Sequence, residues 1–130
     1  MLEAFSTETL EAIFDVLPAE VSFIDDADIV RYYNKGDQRI FKRTPAVIGS
    51  KVQDCHPPQS LPKMEQVISD LKSGKRDVAE SWIDLQGRKI YIGYFAVRDK
   101  AGKYLGVLEV TQDIAEIQKI TGEERLLDEG

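Results

Sequence analysis

Cysteine and histidine are nearly absent from this chain: Cys55 and His56, adjacent to each other, are the only residues of their kinds. A single thiol excludes an internal disulfide and suits a reducing compartment, so a cytoplasmic location is expected. Tryptophan occurs once, at Trp82. No apolar run approaches the roughly 18 residues that a membrane-spanning helix needs, so no membrane association is expected. The opening stretch, MLEAFSTETLEA, carries acids where a secretory leader would carry a basic region and an apolar run. No lysine or arginine precedes Arg31.

What is present is one domain's worth of material. The 130 residues are 42% hydrophobic and 31% charged, which excludes a disordered chain. About two-thirds of the unfolded surface can be buried at this size, enough for a core without staples. The net charge of −6 is unevenly spread. Residues 1–28 hold eight acids and no base, residues 29–103 fifteen bases against eight acids, and residues 104–130 seven acids against two bases. Acidic ends around a basic middle favour self-association or docking to a partner domain. Lys35, Arg39, Lys42 and Arg43 form the nearest approach to a basic cluster and read as a solvated helix face, so no nucleic-acid partner is expected.

The patterning alternates between helix and strand. Ser6 or Thr7 caps a first helix whose apolar stripe is Leu10, Ile13, Phe14 and Leu17, and Pro18 stops it. EVSFID and IVRYY, joined by an acidic turn, read as a hairpin over 20–33. Asn34–Gly49 reads as short helical pieces, the first capped by Asn34 or Asp37 and the second opened by Thr44-Pro45. After the Pro57-Pro58 step, Ser60 caps a helix with the stripe Leu61, Met64, Val67, Ile68 and Leu71, closed by Gly74. Three strand runs follow at 77–85, 88–98 and 104–112, with Gln86-Gly87 and Lys100-Ala101-Gly102 as tight connections. Residues 113–127 return to helical composition, with 122–130 expected to fray beyond Gly122. The economical packing is α+β, a five-stranded antiparallel sheet with helices on one face.

This order carries a resemblance. The run IVRYYNKGDQRIFKRTPAVIGSKVQDCHPP resembles the first half of a PAS domain, through Asn34 at the end of a strand, Ile40-Phe41, Ile48-Gly49 and His56-Pro57. DKAGKYLGVLEVTQDIAEI resembles the last strand and closing Asp-Ile-Thr-Glu element of that family, with Ala115 where threonine is usual. The likeness spans about residues 17–117. NKGDQRIF, the Cys-His-Pro-Pro step, SWIDLQGRKIYIGYFAVRD and GEERLL are similar to a bacterial subfamily in which a PAS domain follows a hemerythrin-type metal-binding domain. One histidine cannot supply that domain's site, so the resemblance implies an excised sensory module. It implies a flanking helix over 1–18, a PAS-like domain over 19–113 and a helical linker over 114–130. It also implies a ligand-sensing or signalling role within a larger regulatory protein.

Catalysis finds no constellation. Neighbours such as Cys55 and His56 need not converge as a nucleophile and base must, and neither glycine-bearing turn has phosphate-loop spacing. The pair remains the most suggestive chemistry, because thiolate and imidazole ligate metals and imidazole ligates haem. Haem through His56 is therefore an alternative. Flavin is disfavoured, since Asp54-Cys55-His56-Pro57 stands where flavin-binding relatives have Asn-Cys-Arg-Phe. The plainer reading makes Cys55 a small core residue and lets His56 hydrogen-bond the backbone near the helix start. Strand alternation places Val78, Glu80 and Trp82 on one face, Ile90, Ile92 and Tyr94 on one face, and Leu105, Val107, Glu109 and Thr111 on one face. Glu109 is either a solvated strand carboxylate, as the rarity of buried acids favours, or a buried acid needing Arg98, Tyr94 or His56 as partner.

The sequence thus predicts a non-enzymatic sensory domain. A small ligand or cofactor of unknown identity sits near Cys55, His56, Trp82, Tyr94 and Glu109. A homodimer uses Leu10, Ile13 and Phe14 with part of the exposed sheet face, and output leaves through Asp113 and Ile114 to another domain of the same protein. The alternative function is a pure dimerisation module with a filled core.

Overall fold

A computed structural model describes residues 1–126. Helix α1 spans Thr7–Asp15, and the Ser6 hydroxyl accepts from the Thr9 amide at 3.0 Å, the expected N-cap contact. Strands β1 (Glu20–Asp25) and β2 (Val30–Tyr33) form the hairpin. Its turn is organised by Asp25, whose carboxylate accepts from the Ala27 and Ile29 amides, as short acidic side chains do in tight turns. Helix α2 spans Leu61–Ser73 and ends at Gly74 in the left-handed conformation, φ 81°. Strands β3 (Val78–Leu85), β4 (Arg88–Arg98) and β5 (Tyr104–Asp113) complete an antiparallel sheet of order β2-β1-β5-β4-β3. Gln86 and Gly87 both take positive φ, the geometry that a two-residue hairpin demands.

One face of the sheet packs against α2 and a 3₁₀ turn at Val52–Cys55. The register puts Glu20, Ser22 and Ile24 of β1 on this inner face, opposite Thr111, Glu109 and Val107 of β5. Ile92 and Tyr94 of β4 continue it across Thr111 and Glu109, and Ser81 and Ala79 of β3 lie beyond them. Ile24, Val30, Val52, Met64 and Ile68 form the core cluster between the layers. The predicted α2 stripe is the buried face, with Met64, Ile68 and Leu71 out of solvent.

Phe23, Tyr91, Phe95 and Leu108 take the outer face, together with Trp82, which is 64% exposed. Helix α1 lies at the β2 end, with the Phe14 ring 5.6 Å from that of Tyr32. The accessible surface of 9345 Å² exceeds the about 7,000 Å² of a compact monomer of this mass. The open outer face contributes to that excess.

Three expected elements differ. No regular helix forms over 34–44, where the backbone is instead held by Glu20 of β1 and by the segment's own Arg39. Ser60 stands at the start of α2, but its hydroxyl bonds to the Pro57 carbonyl rather than to the helix amides. The C-terminal helix expected from residue 114 onward is, among the described residues, a single 3₁₀ turn at Ile117–Lys119. The expectation for 127–130 lies outside the described residues.

Candidate functional site

The segment that follows β2 is positioned by two buried polar side chains. Asn34, almost fully buried, accepts from the Val21 amide at 2.7 Å and donates to the Phe14 and Ala19 carbonyls at 2.7 and 3.1 Å. It ties β2 to β1 and to the end of α1. The Arg39 side chain is 1% exposed. Its guanidinium donates to the carbonyls of Phe41, Val21 and Asn34, and to the Asn34 and Ser22 side chains. Glu20 lies 3.7 Å from it and accepts from the Ile40 and Phe41 amides at 2.6 and 2.9 Å. A stretch without a regular helix thereby has backbone groups satisfied by Glu20 of β1 and by its own Arg39. The expected solvated basic face is not formed: Arg39 is interior, and Arg43 turns toward the sheet.

Arg43 is held at the end of that segment and reaches Glu109 Oε1 at 3.4 Å. Glu109 is only 9% exposed, which corrects the expectation of a solvated carboxylate. Its ion-pair partner is Arg43, not Arg98. Arg98 instead donates to the Leu71 carbonyl at 2.6 Å and lies over the Tyr104 ring. Burial raises the pKa of Glu109 above the ordinary carboxylate value, against the pull of Arg43, Arg39 and His56 and with a push from Glu20. Burial, then the Glu109 charge, raises that of the Tyr94 phenol likewise.

Glu109 and Tyr94 face a chamber of about 260 Å³ between the sheet and α2. Its apolar wall is Ile24, Val52, Met64, Val67, Ile68 and Val107, and its polar groups are His56, Ser60, Lys63, Ser81, Tyr94 and Glu109. A smaller cavity of about 100 Å³ adjoins it, reached by Lys42, Arg43, Cys55 and Ser22. The two share Ile24, Val52, His56 and Glu109. Apolar walls with a few convergent polar groups are the usual make-up of a small-molecule site.

The chain belongs to the PAS domain family. The family's profile matches residues 10–115. The structure is similar to that of a C-terminal domain from Streptococcus mutans, at 38% identity and TM-score 0.84, covering 90% of this chain and 91% of that one. It is also similar to a PAS domain from Colwellia psychrerythraea (18% identity, TM-score 0.59, 84% and 97% covered). The PAS domain of Bordetella pertussis BvgS matches at 20% identity and TM-score 0.62, with 86% and 90% covered. The latter two likenesses concern the fold alone. A search of the curated proteins gave no match.

Of the expected site residues of this PAS domain, His56, Tyr94 and Glu109 meet at the chamber. Trp82 does not. It lies on the outer face, because the register pairs it with Tyr91, while Ser81 is the β3 residue that reaches the chamber. Cys55 is exposed rather than core, at the smaller cavity with its sulfur 3.5 Å from the Lys51 carbonyl. His56 makes no side-chain hydrogen bond among the described residues, so the expected bond to the helix start is not formed. Nor does haem fit: about 260 Å³ falls below the 300–1,000 Å³ of ordinary small-molecule pockets, and a macrocycle needs more. Among the described residues no group of three or more His, Cys, Asp or Glu gathers to hold a metal, and no helix is long and apolar enough to cross a membrane.

Arg43, Lys63 and Ser81 were not singled out as site residues from sequence. Alternation along β3 brings either Ala79 and Ser81 or Val78 and Trp82 inward, and only the partner register chooses between them. At the other end of the sheet, Asp113 closes β5. Its carboxylate accepts from the Ala115 amide at 3.0 Å and pairs with Arg88, which also reaches Glu116. Ile114 donates to the Lys89 carbonyl at 2.9 Å. Asp113 thus organises a turn onto β4 rather than capping a long helix.

Proposed function

We propose that this PAS domain is a non-enzymatic sensory module that takes a small ligand into the chamber between the sheet and α2. The observation that carries this reading is the chamber itself, apolar on most sides yet faced by Glu109, Tyr94 and His56. The output route is Asp113 and Ile114, because the strand that carries Glu109 is the one that ends at Asp113. A physically continuous element of this kind can couple a pocket to the chain beyond it. The receiving element is another domain of a longer cytoplasmic regulatory protein, with the hemerythrin-type arrangement as the resemblance-based choice. The similar Streptococcus mutans structure is described as a C-terminal domain, which supports a modular setting.

Methyl-resolved NMR against a small-molecule library of mixed chemistry tests the reading. Ligands should shift the methyl signals of Met64, Val67 and Val107, and Val67→Phe, which fills the chamber, should abolish those shifts. A library that moves none of these methyls overturns it.

The second reading is a homodimerisation module, and the uncovered outer face favours it. Trp82 and Val78 of β3 on that face, and Ile13 and Phe14 of α1, are all substantially exposed, and exposed apolar clusters of this kind mark interaction surfaces. Leu10, Ile13 and Phe14 remain the α1 contribution, although Phe14 also leans on its own Tyr32. The two readings are compatible, since the chamber and the outer face lie on opposite sides of the sheet.

A further inference from the structure

We infer that the ligand is a small monocarboxylate with an apolar body, its carboxylate received by Arg43 where the two cavities meet. The inference rests on the chamber being a ligand site and adds the chemical class. The charges facing the combined space are unbalanced. Lys63 lines the larger cavity, Lys42 and Arg43 line the smaller one, and Glu109 is the single acid in either. Arg39 lies behind them, matched by Glu20. An anion entering this space meets Arg43 beside Glu109, with the exposed Lys63 and Lys42 at its rim and the Lys42 ammonium donating to the Asp37 carbonyl.

Arg43 also has capacity to spare. A guanidinium presents five N–H donors in a planar fork suited to a carboxylate. Here it has one long contact to Glu109 and one 3.3 Å bond to the Lys42 carbonyl. The single contact to Glu109 is long, 3.4 Å, so a ligand carboxylate can displace it from Arg43. His56 and the Tyr94 hydroxyl have no side-chain hydrogen-bond partner among the described residues and remain available. An amine would have to take Glu109 from Arg43 while lying near Lys63 and Lys42, so the cationic class is disfavoured.

Size and shape narrow the class. A space of about 260 Å³ corresponds to about nine liquid-water volumes, room for a compact body of roughly ten non-hydrogen atoms. The larger cavity has apolar walls on most sides, while Arg43 lines the smaller one and touches Glu109, which both cavities share. A polyanion would leave most of its charge against aliphatic walls. A straight medium-chain acid or an arylalkanoic acid satisfies both ends.

Calorimetric titration of the 130-residue chain with octanoate, octanamide and octylamine, and with 3-phenylpropanoate as a second acid, tests the assignment. At least one acid should bind, with the amide and the amine at least tenfold weaker. Arg43→Gln should weaken the acid at least tenfold, and Lys63→Gln should weaken it in a protein whose buried Glu109 keeps its partner. Glu109→Gln should tighten the acid, because it removes the internal competitor for Arg43; an amine site would lose its ligand on the same change. Octylamine binding more tightly than either acid, or acid affinity falling in Glu109→Gln, overturns the inference. So does equal binding of the three octyl compounds, which leaves the chamber a ligand site of another class. Absence of binding by both acids also overturns it, and the NMR library then decides whether the ligand-site reading falls too.

Discussion

Replacing Arg39 by methionine keeps most of the aliphatic length and removes every polar contact of the guanidinium. In the native protein that group donates to three backbone carbonyls, to the Asn34 side chain and to Ser22, and stands 3.7 Å from Glu20. Hydrogen bonds to a charged group contribute about 1.5–3 kcal/mol each in isolation, but those sharing one donor group do not add. The better guide is the loss on breaking a buried ion pair from one side, about 3–5 kcal/mol. For a domain of this size that lowers the melting temperature by roughly 10–20 °C. The Ile40 and Phe41 amides, which donate to Glu20, should lose hydrogen-exchange protection before the sheet does. Arg39→Lys should fall between the two proteins, since a single ammonium keeps the charge but cannot reach five acceptors. Urea denaturation and amide exchange measure both effects. A loss below about 1 kcal/mol for Arg39→Met, with protection at Ile40 and Phe41 unchanged, would refute the claim that this side chain holds the 34–44 segment.

Further expectations concern other parts of the molecule. Gly106 has φ 153°, and a Cβ there would stand 2.1 Å from the Ile24 carbonyl oxygen, so Gly106→Ala should lose at least about 3 kcal/mol or fail to fold; a soluble variant melting within two degrees of wild type contradicts this. Because the folded state raises the pKa of Glu109, it binds more protons than the unfolded chain above the ordinary carboxylate range, and its contribution to stability falls as pH rises through that window. Arg43, Arg39, His56, Glu20 and Tyr94 surround it, so melting of wild type and Glu109→Gln is compared across pH, and the variant should show the shallower decline. Asp113→Ala should leave the melting transition in place yet uncouple output in the full-length protein; normal output would make the Asp113–Arg88 turn dispensable. Light scattering at tens of micromolar should report a dimer that Ile13→Glu with Trp82→Ser converts to monomer, and a wild-type monomer counts against the sheet-face interface.

The sequence by itself determined the parts that rest on local chemistry. The hairpin at 20–33, the strands after residue 77 and the α2 stripe from Leu61 to Leu71 follow from alternation, helical spacing and turn residues whose conformations few other residues adopt. The Pro57-Pro58 break ahead of α2 was equally legible. Tertiary structure decided the rest. Residues 34–44 look helical from their caps, but Arg39 and Glu20 offer their backbone groups partners that a short helix cannot match. Alternation along β3 allows either face inward, and pairing with β4 chose Ser81 and put Trp82 outside. Glu109 reads as a surface carboxylate until Arg43, 66 residues earlier in the chain, is brought against it. That pairing has no sequence period, since a contact between distant segments depends on where the whole sheet places its inner face.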